Sequence, residues 1–154
     1  MTIAETDRAP DFTMPATGNR VVSLADMTGK PFVLYFYPKA DTPGCTKEAQ
    51  AFEENLADMN ALGLNVIGVS KDPMKALEKF AEKYALTFPL ASDPDGTVIA
   101  AYGAWVEKSM YGKSYMGIDR STILVAADGT VARIWRKVKV PGHAADVVKA
   151  AKAL

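Results

Sequence analysis

The sequence predicts an α/β fold, a mixed central β-sheet with helices on both faces, and three features carry that reading. Two short apolar runs, residues 30–38 and 65–70, are too short and continuous for amphipathic helices and read as buried strands. Between them, Ala49, Phe52, Leu56, Met59 and Leu62 recur at spacings of three and four, which is one helical face. Near the end, residues 121–126 and 130–135 flank Asp128-Gly129, a turn pair at the centre of a hairpin pattern.

Taken in order, the first run reads Pro31-Phe32-Val33-Leu34-Tyr35-Phe36-Tyr37-Pro38, aromatic and β-branched between two prolines, as a central strand should. The helix of residues 42–62 leads to the second run, so the unit is β-α-β, with parallel strands and a right-handed crossover. Asp72-Pro73 opens a second helix carrying Leu77, Phe80 and Tyr84 on one side. Residues 86–90 lead back to a short strand, and Asp95-Gly96 starts a further turn. After the hairpin, a last helix over residues 144–153 closes the chain.

With 154 residues, 49% of them apolar and 23% charged, the chain has the composition of a globular protein, read as one domain over residues 1–154. Eighteen basic and eighteen acidic side chains cancel, so no global field draws it to nucleic acid or an anionic membrane. No stretch has the length of a membrane span. Residues 1–11 hold two Asp, a Glu and an Arg without an apolar core, unlike a signal peptide, and the expected location is cytoplasmic. The single cysteine excludes an internal disulfide and a Cys-rich zinc site.

That cysteine stands in Thr42-Pro43-Gly44-Cys45, directly after the first strand and at the start of the first helix. Thr42 suits the N-cap and Pro43 the first helical position, where a missing N–H does no harm. Cys45 then lies in the first turn, beside unpaired N–H groups and the positive end of the helix dipole. Magnitudes show that this is insufficient alone. Taking a thiol from a pKa of roughly 8.5 to roughly 6 needs about 3.4 kcal/mol. A helix terminus supplies about 0.3–1 kcal/mol, and at best about 2. A fixed cation, an arginine, should therefore sit close to the sulfur. Ionisation itself raises the thiolate fraction at neutral pH only about thirty-fold, so any larger acceleration needs donors aimed at the breaking oxygen–oxygen bond. The competing reading is a small buried hydrophobe, the common fate of a free cysteine.

The segment from Pro38 through Thr42 to Cys45 resembles the Pro-x-x-x-Thr-x-x-Cys motif of peroxiredoxins. Its Thr-Pro-Gly-Cys-Thr form is similar to the bacterioferritin-comigratory-protein branch, also called PrxQ. Ala9-Pro10-Asp11-Phe12, Phe88-Pro89-Leu90 with Ser92-Asp93, Gly103-Ala104-Trp105 and the run from Gly117 to Thr122 resemble that branch too, in order. The resemblance implies a thioredoxin-like fold. It makes Cys45 the peroxidatic cysteine, Thr42 the hydroxyl that contacts the peroxide, Pro38 the ring that shields the site, and Arg120 the active-site arginine. Glu48, one turn after Cys45, reads either as a residue orienting Arg120 or as a solvated helix position.

The departure from that branch is the missing resolving cysteine: Gln50 and Ala81 stand where its members carry one. The resemblance therefore implies a one-cysteine peroxidase. Its thiolate attacks a hydroperoxide and becomes a sulfenic acid, and an external thiol (thioredoxin, glutaredoxin or a small thiol) regenerates it. No metal or organic cofactor is implied, and the expected state is monomer or homodimer. Two rivals stand beside this. A thiol–disulfide oxidoreductase would want a second cysteine where Thr42 is. A non-enzymatic sensor would leave Cys45 inert or merely oxidised.

Other residues read structurally. His143, the only histidine, follows Gly142 as a turn and cap before the last helix. Met110, Tyr111, Tyr115 and Met116 read as local packing rather than a substrate entrance. Asp93 and Asp95, beside Pro94 and Gly96, read as a turn rather than a cation site.

Overall fold

The run bounded by Pro31 and Pro38 lies near the middle of a seven-stranded sheet. A computed structural model describes residues 3–154; Met1 and Thr2, which begin the segment read as lacking a leader, lie outside the described residues. In chain order the strands are β1 (Thr13–Ala16), β2 (Arg20–Ser23), β3 (Phe32–Phe36), β4 (Asn65–Ser70), β5 (Leu90–Ser92), β6 (Trp105–Met110), β7 (Lys113–Ile118), β8 (Ser121–Val125) and β9 (Val131–Trp135). The helices are α1 (Pro43–Glu54), α2 (Leu56–Ala61), α3 (Met74–Lys83), α4 (Thr97–Ala101) and α5 (His143–Lys152).

The sheet runs β2-β1-β5-β4-β3-β8-β9. β3 pairs with β4 in parallel, as the β-α-β reading requires, and with β8 antiparallel, so the sheet is mixed. Every residue of β3 is buried, and alternation sends them to two cores. Phe32, Leu34 and Phe36 pack with Phe12, Ile99 and Tyr102, on the face covered by α4. Val33 and Tyr35 pack with Phe52 of α1, Met59 of α2, Phe80 of α3 and Val147 of α5. Helices therefore cover both faces.

The expected helix over residues 42–62 is broken at Asn55. The Asn55 side-chain amide donates to the carbonyl of Ala51 at 2.8 Å, and its backbone N–H reaches the same carbonyl. A short amide side chain that bonds the preceding turn competes with helix propagation, and α2 restarts one residue later. Phe52 and Met59 are buried as the periodicity demands, but Leu62 lies past α2 and is exposed.

Two hairpins escaped the sequence reading. β1 contains Pro15, a strand breaker, and its pairing with β5 is confined to Ala16 opposite Ala91. β6 and β7 form a separate two-stranded ribbon whose residues are mostly exposed. Its two-residue turn places both Tyr111 and Gly112 at positive φ, 53° and 76°, the geometry usually signalled by Asn-Gly. Met110, Tyr111, Tyr115 and Met116 are 45% to 97% exposed on this ribbon, so the local-packing reading is corrected.

Candidate active site

β3 ends at Phe36, and after a connection over residues 37–42 the chain enters α1 at the same end of the sheet. Asp41, in that connection, takes a left-handed φ of 61°. It is held there by Lys83 Nζ at 3.0 Å and by the Tyr84 hydroxyl at 2.8 Å, both beside the end of α3. Thr42 is the N-cap residue with extended backbone, and Pro43 occupies the first helical position. The Thr42 side chain does not cap the helix, however. Its hydroxyl donates to the carbonyl of Lys39 at 2.8 Å. With its hydrogen committed there, the Thr42 oxygen is left as an acceptor. Pro38 lies in the same connection and is exposed.

Cys45, in the first turn of α1, is 2% exposed. Arg120 reaches it from far along the chain because of strand register. Ser121 of β8 sits opposite Phe36 of β3, so the residue before β8 emerges beside the loop after β3. Nη2 of Arg120 lies 3.4 Å from Cys45 Sγ, the fixed cation that the energy argument required. Gly44 leaves room for it: a Cβ there would stand 3.2 Å from Nη2.

The other arm of the guanidinium, Nη1, donates to Glu48 Oε1 at 2.6 Å. Glu48 is 1% exposed, so the solvated-helix reading is corrected. Burial pushes its carboxyl up to about 7, and the attraction of Arg120 offsets only part of that. Arg120 is also burdened by burial, but Glu48 and Cys45 more than compensate, and it is held charged. The residue-type signal for Glu48 was a charged side chain inside the apolar stripe of Cys45, Ala49 and Phe52. Behind the sulfur lie Tyr35 and Tyr37, both fully buried and both held protonated by burial. Tyr35 stacks on Phe52 with ring centroids 4.4 Å apart.

Residues outside this cluster have structural partners. Asp93 Oδ2 accepts the N–H of Ile99 at 2.9 Å, anchoring the start of α4 as a turn residue does. Gly142 is the N-cap of α5, as the turn-and-cap reading has it, and His143, its first residue, is buried. Its Nε2 lies 2.7 Å from Thr122 Oγ1. Gln50 and Ala81 carry no thiol, and Cys45 is free.

A buried thiol at a helix start, with an arginine held against it by a carboxylate, is the arrangement of a sulfur nucleophile. The model of the AhpC/TSA family matches residues 6–134. Peroxiredoxin Bcp of Escherichia coli is 41% identical over 89% of this chain and 88% of its own. The PrxQ structure from Xylella fastidiosa superposes with a TM-score of 0.93 at 36% identity, covering 99% of this chain and 98% of that one. The bacterioferritin comigratory protein of Xanthomonas campestris, studied for its alkyl peroxide reduction activity, gives 0.89 at 41% identity over 92% and 90%. The chain thus belongs to the AhpC/TSA family, as a peroxiredoxin of the Bcp/PrxQ kind with a single cysteine.

Proposed function

We propose that this protein is a thiol-dependent peroxidase that reduces hydrogen peroxide and organic hydroperoxides at Cys45. The observation that carries the reading is Arg120 Nη2 at 3.4 Å from a buried sulfur in the first turn of α1. In this reading the thiolate attacks the terminal oxygen of the hydroperoxide. The oxygen–oxygen bond breaks, Cys45 becomes a sulfenic acid, and water or an alcohol leaves. Arg120 stabilises both the thiolate and the negative charge that grows on the peroxide oxygens. Thr42 accepts the O–H of the incoming peroxide, and Pro38 bounds the entrance on the solvent side.

The chain has no second thiol, so the sulfenic acid is resolved by an external one, from thioredoxin, glutaredoxin or a small thiol, through a mixed disulfide. Alkyl peroxides are the substrates favoured by the Xanthomonas campestris relative's reported activity. A free nucleophilic thiol without an internal partner suits a reducing compartment, the cytoplasm. Among the described residues no helix is long and apolar enough to cross a membrane.

Cys45→Ser tests the assignment, since an alcohol is almost wholly protonated at neutral pH. The variant should keep the circular dichroism of the parent and consume neither hydrogen peroxide nor cumene hydroperoxide in the presence of dithiothreitol. Turnover retained in a folded Cys45→Ser protein would assign the chemistry elsewhere.

A further inference from the structure

Among the described residues, three buried side-chain polar atoms have no hydrogen-bond partner: the hydroxyls of Tyr35 and Tyr37, and Oε2 of Glu48. All three belong to the surroundings of Cys45. The two tyrosines share its packed cluster, and Glu48 is linked to it through Arg120. Unpartnered buried polar atoms are rare enough that three at one site need a cause.

For Glu48 the charges at the site supply it. Arg120 is the one cation in contact with the sulfur, and it serves two acids at once, Sγ at 3.4 Å and Glu48 Oε1 at 2.6 Å. If both acids ionise, one buried positive charge faces two negative ones. Among the described residues no other group relieves the excess: from α5, His143, packed against Phe52 of α1, is kept neutral by burial. From β3, Tyr35 and Tyr37 stay neutral. From the β4–α3 connection, Asp72 adds a further carboxylate beside Tyr37, already engaged by the Ala40 N–H and the Ser70 hydroxyl. On α1 itself, Lys47 points to solvent. An ionised Glu48 would also leave Oε2 charged, buried and without a donor, the costliest state open to it.

We infer that Cys45 and Glu48 share a single proton: Glu48 holds it while Cys45 is the thiolate and gives it up when the sulfur becomes neutral. This rests on Cys45 being the nucleophile and deepens that reading. The balance closes over one oxidation. The thiol proton passes to the Glu48 carboxylate; the thiolate and the hydroperoxide then yield sulfenic acid and an alkoxide. The alkoxide takes up one proton as Glu48 returns to carboxylate, paired with an Arg120 that no longer faces an anionic sulfur. Glu48 is thus a positioning residue that acts through Arg120 and sets how much of its charge reaches the sulfur. The carboxyl's displacement to about 7 agrees with a group poised to exchange its proton near neutrality.

The test uses the reduced full chain and needs no peroxide. The rate of Cys45 alkylation by iodoacetamide is followed against pH in the parent and in Glu48→Gln, which keeps the shape and removes the charge. With the competing anion gone, about twofold more sulfur should be reactive around neutral pH, where the parent divides one proton between the two groups, and the midpoint should fall. A midpoint that stays or rises, as expected of a carboxylate that merely holds Arg120 in place, overturns the proposal. A second measurement needs no Glu48 variant. Infrared difference spectra at neutral pH should show the carbonyl stretch of a protonated carboxyl in the reduced parent, lost when iodoacetamide turns the sulfur into a neutral thioether. No change in that band on alkylation also overturns the proposal. Loss or survival of peroxidase activity in Cys45→Ser is read separately, so the two conclusions fail independently.

Discussion

At the scale of single residues, the proposed mechanism divides the work on the peroxide between Arg120 and Thr42, and their variants should separate ionisation from attack. Arg120→Met removes the cation 3.4 Å from the sulfur, so the pH midpoint of Cys45 alkylation should rise. The second-order rate with hydrogen peroxide should stay low even at pH values where the thiolate is fully formed, because the guanidinium also serves the leaving oxygen. Thr42→Val should leave that midpoint nearly in place and slow attack about 2–10-fold, the loss of one hydrogen bond to the neutral peroxide O–H worth about 0.5–1.5 kcal/mol. Stopped-flow kinetics across pH distinguish the two, and an Arg120→Met protein with the parental midpoint and rate would refute this division. The sequence flagged both residues through a short motif and a matched segment, and the structure places both beside the start of α1. Glu48 was legible only in part. Its place one turn after Cys45 was visible, but whether that position is wet or dry depends on Arg120, which arrives just before β8, 72 residues further on.

At the scale of elements, the junction of β3 with α1 was readable because local chemistry dictates it: a buried aromatic strand, a proline, an N-cap and a proline at the first helical turn. The break at Asn55 and the β6–β7 ribbon were not. Helical periodicity passes through Asn55 unchanged, and the ribbon buries too little to show alternation, while Tyr111 hides its turn. The α1 junction also carries a prediction in which stability and activity part. Gly44 has an ordinary helical backbone, so Gly44→Ala adds helix propensity, up to about 1 kcal/mol. The new methyl would meet the Arg120 guanidinium at 3.2 Å, the far end of a flexible side chain, which yields more easily than backbone. The thermal midpoint should hold or rise, while the peroxide rate falls about tenfold or more through a displaced cation. A fall in thermal midpoint with an unaltered rate would show that the helix, not the arginine, gives way.

At the scale of the whole molecule, the parallel pairing of β3 with β4 and the helices on both faces follow from patterns that single segments carry, whereas the buried titratable groups do not. His143 shows why. A lone Gly-His before a helix reads as a turn and cap and says nothing of burial, yet α5 folds back so that the ring packs edge-on to Trp135 and Phe52, centroids 5.5 and 6.1 Å away. Desolvation lowers its pKa from 6.5 to about 4, with Asp146 opposing and Arg133 assisting. Its folded-state pKa is depressed, so its share of stability is complete above about pH 6.5 and is lost as the pH falls toward 4. Glu48 runs the other way. Its pKa is raised from 4.5 to about 7, so its share is complete below about pH 4.5 and is lost as the pH rises toward 7. Each shift corresponds to about 3 kcal/mol, and over the pH range they have in common the two nearly cancel. The parent should therefore show only a shallow change in urea midpoint from these two groups between pH 7 and 4.5. His143→Gln should unmask a midpoint that climbs on acidification, and Glu48→Gln one that drops. The comparison of slopes between variants is insensitive to any pH-independent penalty, including the loss of the Thr122 contact at 2.7 Å or of charge on the Arg120 pair. Parallel slopes in all three proteins would mean that neither group titrates differently in the folded and unfolded chains, and the burial argument for both would fall together.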